Sequence, residues 1–265
     1  MELGLEGKVV LVTGGAKGIG EAITRSFAAE GAIPVIMGRN RDEAAQLIDE
    51  LRNNGGQVAA EHVEMTDLRE LQAAVGRVLD SHGHIDVVVN NAAMNDSVDL
   101  TAGPDAFRAS LERNLVHVYA LVHYCLAALK DSCGTIVNIG SKVAETGQGG
   151  TSGYAAAKGG LNGLTREWAV DLGRFGIRVN AVIPAEVMTP MYQRWIQTLP
   201  DPEATLAQIT STIPFGRRFT TAQEIADAVV FTASPRSSHT TGQILYVDGG
   251  YTHLDRAATI RDLGE

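Results

Sequence analysis

Short apolar runs alternate with longer stretches of helical spacing along the 265-residue chain, and this alternation constrains the fold more than any other feature. The first run, residues 8–13, ends in Thr13-Gly14-Gly15-Ala16-Lys17-Gly18-Ile19-Gly20. Residues 19–30 then place Ile19, Ile23 and Phe27 on one helical face. The pattern repeats as strand 33–37, helix 41–53 (stopping at Gly55-Gly56), strand 57–63, helix 68–79 and strand 85–90. After a turn at Gly103-Pro104 come helix 106–129, strand 134–139, helix 154–175 and strand 178–183. Pro200 and Pro202 interrupt a helical excursion within 185–215. Helix 221–233 opens on Thr221 with Glu224 three residues on, a capping-box pattern, and strand 243–247 closes the series. Such alternation predicts an α/β class: a doubly wound parallel sheet with helices on both faces. No linker or repeat divides residues 1–265, so a single domain is expected.

Composition narrows the partners. The formal net charge of −9 argues against nucleic acid and anionic membrane surfaces. Cys125 and Cys133 form no CxxC pair and are read as reduced thiols of a cytoplasmic protein. No signal peptide is visible after Met1, and no apolar run approaches the roughly 20 residues of a membrane span. The seven histidines are scattered without an H-E-x-x-H or Cys/His cluster, so no metal is expected.

The glycine-rich turn lies between the first strand and its helix. Glycines there let the backbone approach a pyrophosphate, and the helix points free N–H groups at it. Small residues in Asn90-Asn91-Ala92-Ala93 leave room for a ligand at the carboxyl edge of the sheet. The position at the end of the second strand, where an acid would hold a ribose 2′-OH, is Gly38, followed by Arg39. With Lys17 in the turn, two cations and no acid suit a 2′-phosphate, so NADP is expected in preference to NAD.

Tyr154 and Lys158 stand four apart and share a helix face. An ammonium beside a phenol favours the phenolate, so the expectation is a lowered Tyr154 pKa and proton exchange with an alcohol or carbonyl oxygen. Ser141 is placed to hydrogen-bond that same oxygen.

Taken in order, T-G-x-x-x-G-I-G (13–20), N-N-A (90–92), Asn114, Ser141, Y-x-x-x-K (154–158), Asn180-Ala181-Val182-Ile183-Pro184 and Asp248-Gly249-Gly250 resemble the short-chain dehydrogenases/reductases over nearly the whole chain. The resemblance implies a Rossmann-type domain and an NAD(P)-dependent oxidoreductase interconverting an alcohol and a carbonyl. It implies a catalytic tetrad of Asn114, Ser141, Tyr154 and Lys158, with a water-linked proton relay through Lys158. It places Gly14, Lys17, Gly18, Ile19, Arg39, Glu64, Met65, Asn90, Ala92, Val187 and Thr189 along the cofactor, and makes 185–215 the substrate loop. A homotetramer is implied, with the helices of Asn114 and Tyr154 in one interface and the last strand in another. Three departures from the pattern stand out: Ala93 and Ala185 stand where glycine is usual, and Glu64-Met65 where Asp-Val is common.

For the substrate, Glu145, Gln148, Glu186 and Trp195 are candidate contacts, with His253, Asp255 and Arg256 on the tail. Polar groups beside an aromatic suit a sugar. The runs 184–190 and 250–256 resemble bacterial sugar dehydrogenases of the L-fucose dehydrogenase type, which implies oxidation of an anomeric hydroxyl to a lactone. The alternatives are a 3-oxoacyl-carrier-protein reductase or related carbonyl reductase, and, from another class, a non-catalytic dinucleotide-binding regulator.

Overall fold

A computed structural model describes residues 2–255. One parallel sheet holds β1 (Val9–Thr13), β2 (Ile33–Gly38), β3 (Ala59–His62), β4 (Val87–Asn90), β5 (Thr135–Ile139), β6 (Arg178–Pro184) and β7 (Ile244–Val247), in the order β3-β2-β1-β4-β5-β6-β7. The order reverses direction between β1 and β4, which opens a crevice at their carboxyl ends. Strands β1, β4 and β5 are buried on both faces, which explains their unbroken apolar composition.

Alternate residues serve opposite faces. Val9 and Leu11 pack with residues of α3 (Leu68–His82), α5 (His117–Ser132) and α6 (Ser152–Gly173). Val10 and Val12 pack with Ile23 and Phe27 of α1 (Gly18–Ala29) and Ile225 and Val229 of α9 (Ala222–Ala233). Helix α2 (Arg41–Asn53) seals the β2 end through Leu47 and Leu51. The expected capping box is present at Thr221–Glu224.

Two segments differ from the sequence pattern. The expected helix 106–129 is α4 (Gly103–Leu111), a π turn at Glu112–Val116, and α5. Pro104 lies in the first turn of α4, where its missing N–H leaves no bond unmade, so Gly103-Pro104 begins a helix instead of preceding one. The π turn contains Asn114, whose buried side chain is tied on both ends and holds the extra residue in place. In the excursion the interruption expected at Pro200 and Pro202 is present, and prolines also start the helices on both sides of it. Pro190 begins α7 (Pro190–Ile196), capped by Thr189, and Pro202 begins α8 (Pro202–Ser211), capped by Asp201. No helix among the described residues is long and apolar enough to cross a membrane.

Candidate active site

The crevice at the β1/β4 switch is a cleft of about 880 Å³. Its floor is knitted by Thr13 at the end of β1. The Thr13 hydroxyl accepts the Asn91 and Ala92 N–H groups, each at 2.9 Å, and Asn91 Nδ2 donates to the Thr13 carbonyl at 2.9 Å. The N-N-A segment is thereby fastened to the glycine-rich turn. Gly14 and Gly18 have φ of +63° and +58°, a backbone region L side chains avoid. A Cβ on Gly20 would lie 2.1 Å from the Gly14 carbonyl oxygen, so position 20 is closed to any side chain. Lys17 precedes α1 without a side-chain cap, and the first-turn N–H groups face the crevice that the turn borders. These features fit a dinucleotide.

Of the expected cofactor residues, Gly14, Lys17, Gly18, Ile19, Arg39, Glu64, Met65, Ala92, Tyr154, Lys158 and Thr189 line the cleft. Asn90 and Val187 do not. Asn90 is buried and donates to Asn138 Oδ1 at 2.8 Å, while Val187 is buried in the core and bridges to Thr220. Both stiffen the crevice walls from behind. Neither Ala93 nor Ala185 adopts a positive φ, so neither position requires the glycine usual there.

The expectation of two cations with no acid is corrected. Lys17 pairs with Glu43 at 3.1 Å and Arg39 with Glu64 at 3.1 Å. Glu43 comes from the first turn of α2 and Glu64 from the segment after β3, so neither is adjacent in sequence to the cation it meets. Arg41 also lines this end of the cleft, with Nη2 3.4 Å from His62 Nδ1.

At the other end, α6 brings Tyr154 and Lys158 to the cleft wall on one face. Lys158 is 2 % exposed and donates to the Ile139 carbonyl at 2.6 Å; burial lowers its pKa to about 8. The expected fall in the Tyr154 pKa is corrected too. Burial pushes the phenol up to about 12, and the Ser141 hydroxyl, which hydrogen-bonds it, recovers only part of that rise. The Lys158 ammonium sits 5.6 Å from the Tyr154 ring centroid and donates to main chain, so desolvation wins. Asn114 lies behind this pair. Its Oδ1 accepts the Met94 N–H at 2.7 Å and its Nδ2 donates to the Ser110 carbonyl at 3.0 Å, so any part in a proton relay falls to its main chain.

The candidate substrate residues separate. Glu145 accepts from Asn162 at 3.1 Å and also hydrogen-bonds Tyr246. Gln148 is exposed on the loop before α6. Trp195 is 46 % exposed on α7 and meets Tyr192 edge-on at 5.0 Å. His253 packs against Tyr246 at 4.7 Å. Asp255 is the last described residue, and Arg256 lies outside the described residues. Glu186 is 7 % exposed and forms an ion pair with Lys142, the residue after Ser141. The Tyr192 phenol also hydrogen-bonds Glu186; burial, and then that carboxylate, push its pKa up.

Sequence reasoning missed Lys142 and His117. Adjacency to Ser141 was the available signal for the first. His117, one turn beyond Asn114, is buried in the cleft wall, and burial followed by the Lys158 charge lowers its pKa to about 4. Among the described residues no group of three or more His, Cys, Asp or Glu is arranged to hold a metal.

With the geometry in place, similarity is informative. The profile of a family described as enoyl-(acyl carrier protein) reductase matches residues 14–252. The L-fucose dehydrogenase of Mus musculus is 37% identical over 261 residues, covering 98% of this chain and 94% of that protein. The 3-oxoacyl-[acyl-carrier-protein] reductase of Thermotoga maritima is 36% identical over 248 residues, covering 93% and 98%. The crystal structure of Cj0485 dehydrogenase superposes with a TM-score of 0.92 at 44% identity, over 97% of this chain and 98% of that one. A protein from Burkholderia xenovorans assigned to the short-chain dehydrogenases/reductases superposes with a TM-score of 0.90 at 30% identity, over 95% and 99%.

Proposed function

The chain belongs to the short-chain dehydrogenase/reductase family, and from that premise we propose that it oxidises a sugar such as L-fucose at its anomeric carbon, giving the lactone. Relatives acting on L-fucose and on 3-oxoacyl-carrier-protein match with nearly equal identity, so identity does not choose between them. The buried Lys142–Glu186 pair carries the choice. It adjoins Ser141, where a substrate chain would run. A hydrocarbon chain there would take the pair's last contact with water and return no hydrogen bond to the donor and acceptor positions it still has free. Sugar hydroxyls satisfy both charges.

In this reading Ser141 and Tyr154 hold the reacting oxygen by hydrogen bonds. The bound nicotinamide supplies the hydride acceptor. As hydride leaves C1, the phenolate form of Tyr154 takes the hydroxyl proton at its Oη; in reduction the neutral phenol returns it. Lys158, whose ammonium lies 5.6 Å from the Tyr154 ring centroid, would hold the cofactor's ribose. NADP is favoured over NAD. Exposed ion pairs such as Lys17–Glu43 and Arg39–Glu64 contribute at most about 1 kcal/mol, whereas guanidinium–phosphate bonds are charge-assisted and bidentate. Arg41 adds a further cation.

Exposed apolar side chains on the helices, Tyr119 and Val170 among them, and Leu245 on β7, support the homotetramer, which light scattering after gel filtration tests. Activity is tested with a panel of aldoses and a 3-oxoacyl thioester, each with NADP and NAD. Turnover of L-fucose or a close analogue with NADP is expected. No aldose turnover, or a higher kcat/KM for the thioester, overturns the substrate. A clear NAD preference overturns the cofactor.

A further inference from the structure

The Lys142–Glu186 pair is built from three separate parts of the chain. Lys142 follows the catalytic serine at the end of β5, Glu186 follows β6, and both are nearly removed from water, at 12 % and 9 % side-chain exposure. Tyr192 of α7 hydrogen-bonds Glu186 from the substrate loop. Tyr251, after β7, lies under the ammonium with its ring centroid 4.2 Å from Lys142 Nζ. Among the described residues, Lys142 Nζ meets only Glu186 and this ring face.

An ammonium has three N–H donors, and a carboxylate has about four acceptor positions. One contact between them, one phenol and one ring face leave both groups with capacity unused. Buried charge in that condition is unfavourable unless a partner completes it. A hydroxyl both donates and accepts, so it suits a site offering one donor and one acceptor side by side. Pro184, two residues before Glu186, lines the cleft together with Tyr154, to which Ser141 hydrogen-bonds. The pair therefore stands where the substrate loop starts beside the reacting oxygen, and the hydroxyl on the next carbon is the substrate group nearest to it.

We propose that Lys142 and Glu186 form a clamp for the sugar hydroxyl adjacent to the reacting carbon: Lys142 donates to its oxygen, Glu186 accepts its proton, and Tyr192 fixes the carboxylate. The clamp rests on the sugar reading above and names the residues that make it selective. Tyr192 also couples the clamp to α7, so the substrate loop is held in place by the same carboxylate that reads the substrate.

The test compares L-fucose with 2-deoxy-L-fucose, which lacks that hydroxyl, in the full-length protein with NADP. The parent protein is expected to prefer L-fucose by about 100-fold in kcat/KM, the loss of two hydrogen bonds to charged groups. Glu186→Gln keeps the shape and removes the charge; Lys142→Met with Glu186→Leu replaces the pair by apolar groups of similar volume. In Glu186→Gln, which keeps the Lys142 donor, discrimination is expected to fall to about tenfold, and in the double variant to within about threefold, in each case mainly through the loss on L-fucose. A pair that only braced the loops would slow both sugars equally and leave their ratio intact, and that result overturns the clamp. A parent protein that fails to discriminate overturns it as well. If the parent turns over no aldose while reducing the 3-oxoacyl thioester, the sugar reading fails, and the clamp falls with it.

Discussion

Lys158 is held in the folded protein against its own solvation, and stability should report this as a dependence on pH. At 2 % exposure its pKa falls from an ordinary 10.5 to about 8, with burial the cause. Below pH 8 folded and unfolded chains both carry the proton, and above 10.5 neither does. Between these values the unfolded chain binds more protons, so stability from this residue rises with pH and is lost again as pH falls through 8. The whole gap corresponds to about 3 kcal/mol, of which about 2 kcal/mol falls between pH 7 and 9.5. Lys158→Met removes the titration. It also leaves the Ile139 carbonyl without its 2.6 Å donor, which costs about 1–3 kcal/mol at every pH. The variant is therefore expected to match the parent or exceed it at pH 7 and to fall below it at pH 9.5. Urea unfolding at one protomer concentration, run on both proteins at both pH values, measures the difference. Parallel shifts of parent and variant would show that Lys158 is not desolvated as described, and the reasoning would fail.

Other expectations concern the rest of the cleft. Tyr154→Phe should lower kcat by about 10²–10⁴ while adenine nucleotide still binds, as calorimetry would show. Because burial raises the phenol to about 12, sugar oxidation should climb with pH from 7 through 9.5, whereas carbonyl reduction should not; a flat oxidation profile counts against Tyr154 as the base. Glu43→Gln frees Lys17 and should tighten binding of adenosine 2′,5′-bisphosphate by about 3–5-fold, in keeping with an exposed pair; unchanged affinity would place the phosphate elsewhere. Gly20→Ala puts a Cβ 2.1 Å from the Gly14 carbonyl oxygen and should abolish nucleotide binding and lower stability by about 1–3 kcal/mol in thermal unfolding.

How much of this was legible beforehand follows from distance along the chain. The seven strands and the nucleotide turn are local patterns, since runs such as 9–13 and 87–90 are apolar for lack of any solvent face. The Tyr154–Lys158 proximity is likewise a helical spacing. The π turn at Asn114 is not local, because its cause includes the Met94 N–H twenty residues away. The ion pairs Lys17–Glu43 and Arg39–Glu64 join segments about 25 residues apart, so counting charges beside the glycine-rich turn could not reveal that its cations were already paired. The Tyr154 pKa failed to follow for a related reason. Spacing shows that an ammonium is near, but the direction of the shift depends on how much water remains, and the ammonium itself donates to Ile139.

The substrate side shows what a departure from a shared pattern means physically. Ala185 stands where glycine is usual after Pro184. Ala185 proves to be without backbone strain, so the departure is not about turn geometry. Glu186 instead introduces a carboxylate into a nearly dry position, which is tolerable only with a compensating cation, and Lys142 supplies it from another strand's end. The two residues stand 44 apart in the sequence, and each buried charge is compensated only by the other. The pair is separate from Ser141, Tyr154 and Lys158, the residues expected to act on the reacting oxygen. An apolar pair of equal volume would avoid the desolvation cost, so the hydroxyl clamp proposed above gives the pair a role that packing alone does not.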